Sequence, residues 1–89
     1  MVVKVAIDTS AWIWFRKNEP QVVARLQRAA SIFVPCAVIG ELEAAFLRGG
    51  RPKENQALLD AFLDEPMVQQ IVIDRKIARR YGALFAKLR

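Results

Sequence analysis

Three short runs rich in β-branched residues, at positions 2–7, 32–34 and 68–73, are separated by segments whose apolar residues recur every three to four positions. That alternation is the strongest constraint on the fold. Strands interleaved with helices cannot close as simple hairpins, and they predict a parallel sheet with helices packed on it. The first run, broken only by Lys4, reads as a strand buried on both faces. Asp8, Thr9 and Ser10, all helix N-cap types, follow it and open a short helix over 11–16 that carries Trp12, Ile13, Trp14 and Phe15. Trp12 and Trp14 cannot both face inward on one helix, so one of them is expected on an outer surface.

The next helix opens near Pro20, with Val22, Val23 and Leu26 at helical spacing, and ends near Ala30. Pro35 stops the second strand. From 36 to 48, Val38, Ile39, Leu42, Ala45 and Phe46 form one stripe, terminated by Gly49 and Gly50. Pro52 opens a fourth helix expected to bury Leu58, Leu59 and Phe62 before Pro66. Asp74 caps a fifth, with a stripe of Ile77, Ala78, Tyr81, Leu84, Phe85 and Leu88. The expectation is an α/β fold of three strands and about five helices.

The residue inventory excludes much chemistry. The 89 residues contain no histidine and one cysteine, Cys36. Imidazole acid–base catalysis, histidine triads and zinc-finger sites are therefore ruled out. An intrachain disulfide is ruled out too, which agrees with a cytoplasmic protein. No apolar run approaches the roughly 18 residues of a membrane span. Hydrolysis would have to rest on carboxylates, lysines, Tyr81 or hydroxyls. Cys36 itself is expected to be a small buried apolar residue.

Asp8 follows directly on a strand, and open α/β sheets bind ligands at the carboxyl ends of their strands. It can cap the following helix, or it can coordinate a hard cation while Thr9 or Ser10 serves as the cap. Glu41 and Glu43 flank the stripe of the third helix at roughly 100° on opposite sides. The Glu41 side also carries the small residues Ala37 and Ala44, but periodicity alone does not choose between the two glutamates.

The run VAIDTSAWIW at 5–14, the run VIGELEAA at 38–45 and the ending DRKIARRYGALFAKLR resemble PIN domains of the VapC toxin class. In that family a strand ends in Asp followed by Thr or Ser, and a helix after the second strand carries Glu followed by Leu. The resemblance maps these onto Asp8, Thr9 and Glu41, and so prefers Glu41 to Glu43. It implies a three-layer α/β/α fold with a parallel sheet, and Asp8 and Glu41 as catalytic residues ligating Mg²⁺ or Mn²⁺. Thr9 and Ser10 would support them from behind. The reaction implied is hydrolysis of an RNA phosphodiester by metal-activated water, with a cognate antitoxin protein as partner.

The match spans essentially all of this chain but only the first half to two-thirds of the family's domain. The expectation is thus one partial domain, 1–89, whose further acids and fourth strand lie beyond it. The family's strand order places a strand between Asp74 and Asp8, so Asp74 is expected only to cap its helix. Without a fourth strand, the first strand's edge over 2–7 is exposed and invites a homo-oligomer or a domain swap. An alternative is a catalytically inactive remnant that binds antitoxin or dimerises. The charge distribution adds a third reading. Residues 1–74 carry 8 basic and 9 acidic groups, whereas 75–89 carry six basic groups and no acid. Arg75, Lys76, Arg79 and Arg80 therefore form either a weak nucleic-acid-binding patch or a solvated helix face.

Overall fold

The computed structural model describes the backbone of residues 3–87, and the side chains of these except Tyr81 and residues 83–87. The elements run β1 (Lys4–Ala6), α1 (Thr9–Arg16), α2 (Pro20–Arg28), β2 (Ser31–Pro35), α3 (Cys36–Arg48), α4 (Pro52–Leu63), β3 (Val68–Ile71) and α5 (Arg75–Lys87). The three strands form one parallel sheet in the order β1-β2-β3. Val5 faces Ile32 across the first ladder, and Phe33 faces Gln69 across the second.

Both crossovers move in the same direction along the sheet, and right-handed connections of that kind place their helices on one face. α1 packs on α2 and on α3, and α3 packs on α4, as that rule requires. Side chains alternate across a strand. Ile32 and Val34 accordingly join Ile7, Trp12, Leu26, Leu42, Phe46 and Leu59 in one buried cluster under these helices. Ala6 and Phe33 point the other way, yet they are also buried. α5, which leaves β3 and returns to pack along β1, supplies the cover on that side.

Trp12 is 4% exposed and sits at the junction of the helices. Its ring meets Phe62 of α4 edge-on at 5.2 Å and Phe15 at 5.8 Å, and Phe15 and Phe62 close the triangle at 5.5 Å. Such tilted contacts add to the area that the rings bury. Trp14, two positions on, is 50% exposed, so the two tryptophans divide as the helical period demands.

The α1–α2 turn is closed by a left-handed residue. Asn18 adopts φ 58°. Its N–H donates to the Phe15 carbonyl at 3.0 Å, and the Glu19 N–H donates to Trp14 at 3.0 Å. These are the two bonds of a Schellman helix end, and Asn tolerates the left-handed conformation that it needs. Glu19 then caps α2 by accepting from the Val22 N–H at 3.0 Å.

Several expectations need correction. β1 is shorter than the run 2–7, and its entry is exposed at Val3 and Lys4; only its end, at Ala6 and Ile7, is buried from both sides. Val2 lies outside the described residues. β3 ends at Ile71, with Val72 77% exposed beyond the partner strand. Ala45, Leu58 and Ala78 are exposed, because each helix buries a narrower stripe than its apolar residues allow. Of the remaining α5 stripe, the side chains of Tyr81, Leu84 and Phe85, and Leu88 altogether, lie outside the described residues.

Trp12→Ala should lower stability by about 3–5 kcal/mol through the lost burial and the cavity left between α1 and α4. Trp14→Ala should cost less than about 1 kcal/mol. Urea unfolding midpoints at constant m-value would check the pair, and equal shifts would contradict the packing described.

Candidate active site

Parallel pairing sets this site before any side chain does. The β1–β2 ladder continues one step past β1, where the Ile7 N–H donates to the Phe33 carbonyl at 2.9 Å. The chain then leaves the sheet at Asp8. β2 ends at Pro35 and passes directly into α3. The beginnings of α1 and α3 therefore lie side by side at the carboxyl edge of the sheet.

Asp8 holds an extended conformation, φ −106° and ψ 179°, and is the N-cap of α1. Its Oδ1 accepts from the Ala11 N–H at 2.7 Å. The cap is thus Asp8 itself and not Thr9 or Ser10, which lie inside the first turn of the helix. Thr9 has a different partner. Its Oγ1 donates to Glu41 Oε2 of α3 at 2.6 Å, across 32 residues of sequence. This bond brings the helix carboxylate against the residue that follows Asp8. Ser10 is exposed on the same turn.

The two glutamates have different neighbours. Glu41 is exposed at the sheet's edge, whereas Glu43 is half-buried on the α4 side of the helix. There Glu43 Oε2 accepts from Gln56 Nε2 at 2.7 Å. Glu43 therefore joins α3 to α4 and takes no part at the edge. No sequence signal marked Gln56, because its role depends wholly on how two helices pack.

Asp74 caps α5 through the Ile77 N–H at 2.8 Å, and β2 stands between its strand and β1, as expected. Arg75, Lys76, Arg79 and Arg80 are all exposed on α5. Cys36 is exposed rather than buried, because it is the first residue of α3 and the stripe of that helix begins only at Val38.

The edge thus assembles two carboxylates and a hydroxyl, all hard oxygen donors, with one carboxylate steadied by a backbone N–H and the other by Thr9. Among the described residues no three His, Cys, Asp or Glu side chains converge. A donor set of this kind fits Mg²⁺ or Mn²⁺ more than Zn²⁺, since Mg²⁺ commonly binds through one or two carboxylates and keeps several waters. The positive end of the α1 dipole favours anions at the same place.

A family model described as the PIN domain matches residues 5–89. No match is found among curated protein sequences. Among solved structures, the chain is similar to one in the crystal structure of VapBC2 from Rickettsia felis bound to a DNA fragment from their promoter. The two share 22% sequence identity with a TM-score of 0.69, over 97% of this chain and 67% of that one.

Asp8→Ala should cost about 0.5–2 kcal/mol through the lost cap, while Asp8→Asn should stay within about 0.5 kcal/mol, because Asn caps as well as Asp. Thermal denaturation of the two variants would test this. Equal losses would mean that the carboxylate charge, and not capping, governs local stability.

Proposed function

The chain belongs to the PIN domain family, and on that premise we propose that it acts as the metal-dependent endoribonuclease toxin of a VapBC-like toxin–antitoxin pair. The observation that carries this reading is the 2.6 Å bond from Thr9 to Glu41, which unites the Asp8 junction with α3. Residues 1–89 are read as one domain, spanning 67% of the similar solved chain.

Asp8 and Glu41 would hold Mg²⁺ or Mn²⁺ and are the proposed catalytic residues. When bound, such an ion neutralises charge on a phosphodiester and makes water a better nucleophile at neutral pH. The protein's own part is positioning. The cap bond fixes the Asp8 carboxylate at the end of β1. Thr9 fixes the Glu41 rotamer, and support of this kind commonly governs metal affinity. Ser10, exposed one residue further along the first turn, would support a carboxylate or a metal-bound water. Glu43, bonded to Gln56 of α4, is assigned no part in the chemistry.

The proposed protein partner is a cognate antitoxin. Ile13 and Trp14, 43% and 50% exposed, present apolar surface on the outer side of α1. A shallow depression beside them, lined by Trp14, Lys17, Glu19 and Pro20, suits insertion of a partner side chain. Among the described residues, no strand pairs with β1 on the side away from β2. A second copy of the chain could add there by strand pairing or exchange. No helix among the described residues is long and apolar enough to cross a membrane. A cytoplasmic setting fits that observation and an RNA substrate.

A second reading is supported by the exposed apolar surface at Ile13 and Trp14. In it the chain captures antitoxin or dimerises without cleaving RNA. One assay separates the two. Wild-type protein should cleave single-stranded RNA with Mg²⁺ or Mn²⁺ and stop with EDTA. Asp8→Asn and Glu41→Gln should each lower the rate at least about 100-fold with the fold intact, whereas Glu43→Gln should not. Antitoxin capture with no metal-dependent cleavage by the wild type would favour the second reading. For the β1 edge, light scattering should give a mass at least twice 10.1 kDa, and a Lys4→Pro variant, which removes an N–H on the side away from β2 and leaves the β1–β2 bonds in place, should return it to the monomer. A monomeric wild type at high concentration would remove that proposal.

A further inference from the structure

The first two turns of α5 break two rules of helix electrostatics at once. Arg75 and Lys76 occupy the first turn, where the helix dipole is positive and cations are disfavoured. Arg79 follows Arg75, and Arg80 follows Lys76, at the i,i+4 spacing where like charges repel. No acid stands in the first turn, nor anywhere from residue 75 onward. At 100° per residue the four cations fill an arc of about 140°. Half-buried Ile77 lies outside this arc, and all four cations are exposed. The isolated helix therefore loses stability by carrying them in this pattern. Asp74, the N-cap, is the one acid beside them in sequence, and local rules broken in this way are most often found at functional surfaces.

Their placement says what they serve. Because all three strands are parallel, α5 begins at the same end of the sheet as Asp8 and the Thr9–Glu41 bond. β1 and β3 are two strand spacings apart, roughly 10 Å, and α5 runs back to pack along β1. A polyanion crossing the carboxyl edge of the sheet would meet both groups. We propose that Arg75, Lys76, Arg79 and Arg80 bind the phosphodiester backbone of the RNA strand next to the phosphate that is cut. This assignment rests on the nuclease reading above and adds to it the surface that holds the substrate.

Backbone binding by cations releases counterions, and for single strands each phosphate contact contributes about −0.7 to the slope of log K against log salt. The test is a titration of fluorescent single-stranded RNA at several NaCl concentrations in EDTA, so that cleavage does not intervene. Arg75→Gln/Lys76→Gln should flatten the slope by about 1.4 and weaken binding at least about tenfold at 50 mM salt. Its melting temperature should stay level or rise, the opposite of what a structural role predicts. Arg79→Gln should flatten the slope further. Arg48→Gln/Lys53→Gln, at the far end of α3 and the start of α4, should leave it unchanged.

An unchanged slope in the α5 variants, or an equal change in the control, would overturn the assignment. So would loss of polyglutamate binding with RNA binding intact, which would point to an acidic protein partner instead. The two readings can fail separately. Slope loss without wild-type cleavage in Mg²⁺ would defeat the nuclease reading alone, and cleavage without slope loss would defeat this one alone.

Discussion

Parallel pairing of β1 with β2 is the constraint on which everything else depends. It aligns Lys4 with Ser31 and Ala6 with Phe33, and the Ile7 N–H extends it to the last residue before Asp8. A slip of one residue would exchange the two faces of β1. Ile7 would leave the helix-covered core, and Ala6 would enter it. The same slip would move the start of α1 relative to α3 by about 3.3 Å, more than the Thr9–Glu41 bond could accommodate. Register, core and candidate site are thus one decision made by the β1–β2 ladder.

The helices fix that decision in three dimensions. Trp12, Phe15 and Phe62 tie α1 to α4, although 47 positions separate Phe15 from Phe62. Glu43 and Gln56 tie α3 to α4 on the polar side. α1 and α3 are therefore both anchored to α4, so Thr9 and Glu41 approach each other on a frame braced from outside. A hydrogen bond near the surface contributes little net stability. Its importance lies in orientation, and the stability comes from the buried rings and aliphatic side chains below.

Asp8 shows how one residue can serve structure and proposed chemistry together. A cap uses one carboxylate oxygen and leaves the charge of the group intact. Capping and cation binding are therefore compatible at one carboxylate. α5 presents the reverse case, in which helix electrostatics disfavours the cations of its first turn. The first pattern makes a residue costly to lose for two reasons, and the second leaves charges whose proposed value is to a ligand.

The sequence by itself determined the element order, because β-branched runs, Pro and Gly punctuation and helical stripes are local signals. α3 spans Cys36–Arg48, as its stripe and Gly49 required, and Asp74 caps α5 as its position suggested. It also singled out Asp8 and Thr9, since a carboxylate directly after a strand is legible in one dimension. Only the tertiary structure gave Glu41 and Glu43 their different partners, exposed Leu58 while burying Leu59, put Cys36 at the surface, and turned Trp12 inward and Trp14 outward. The physical reason is common to all four. A helical period fixes the angle between residues on one helix, but which angle faces the core depends on neighbours dozens of residues away, and those neighbours arrive only when the sheet has set its register.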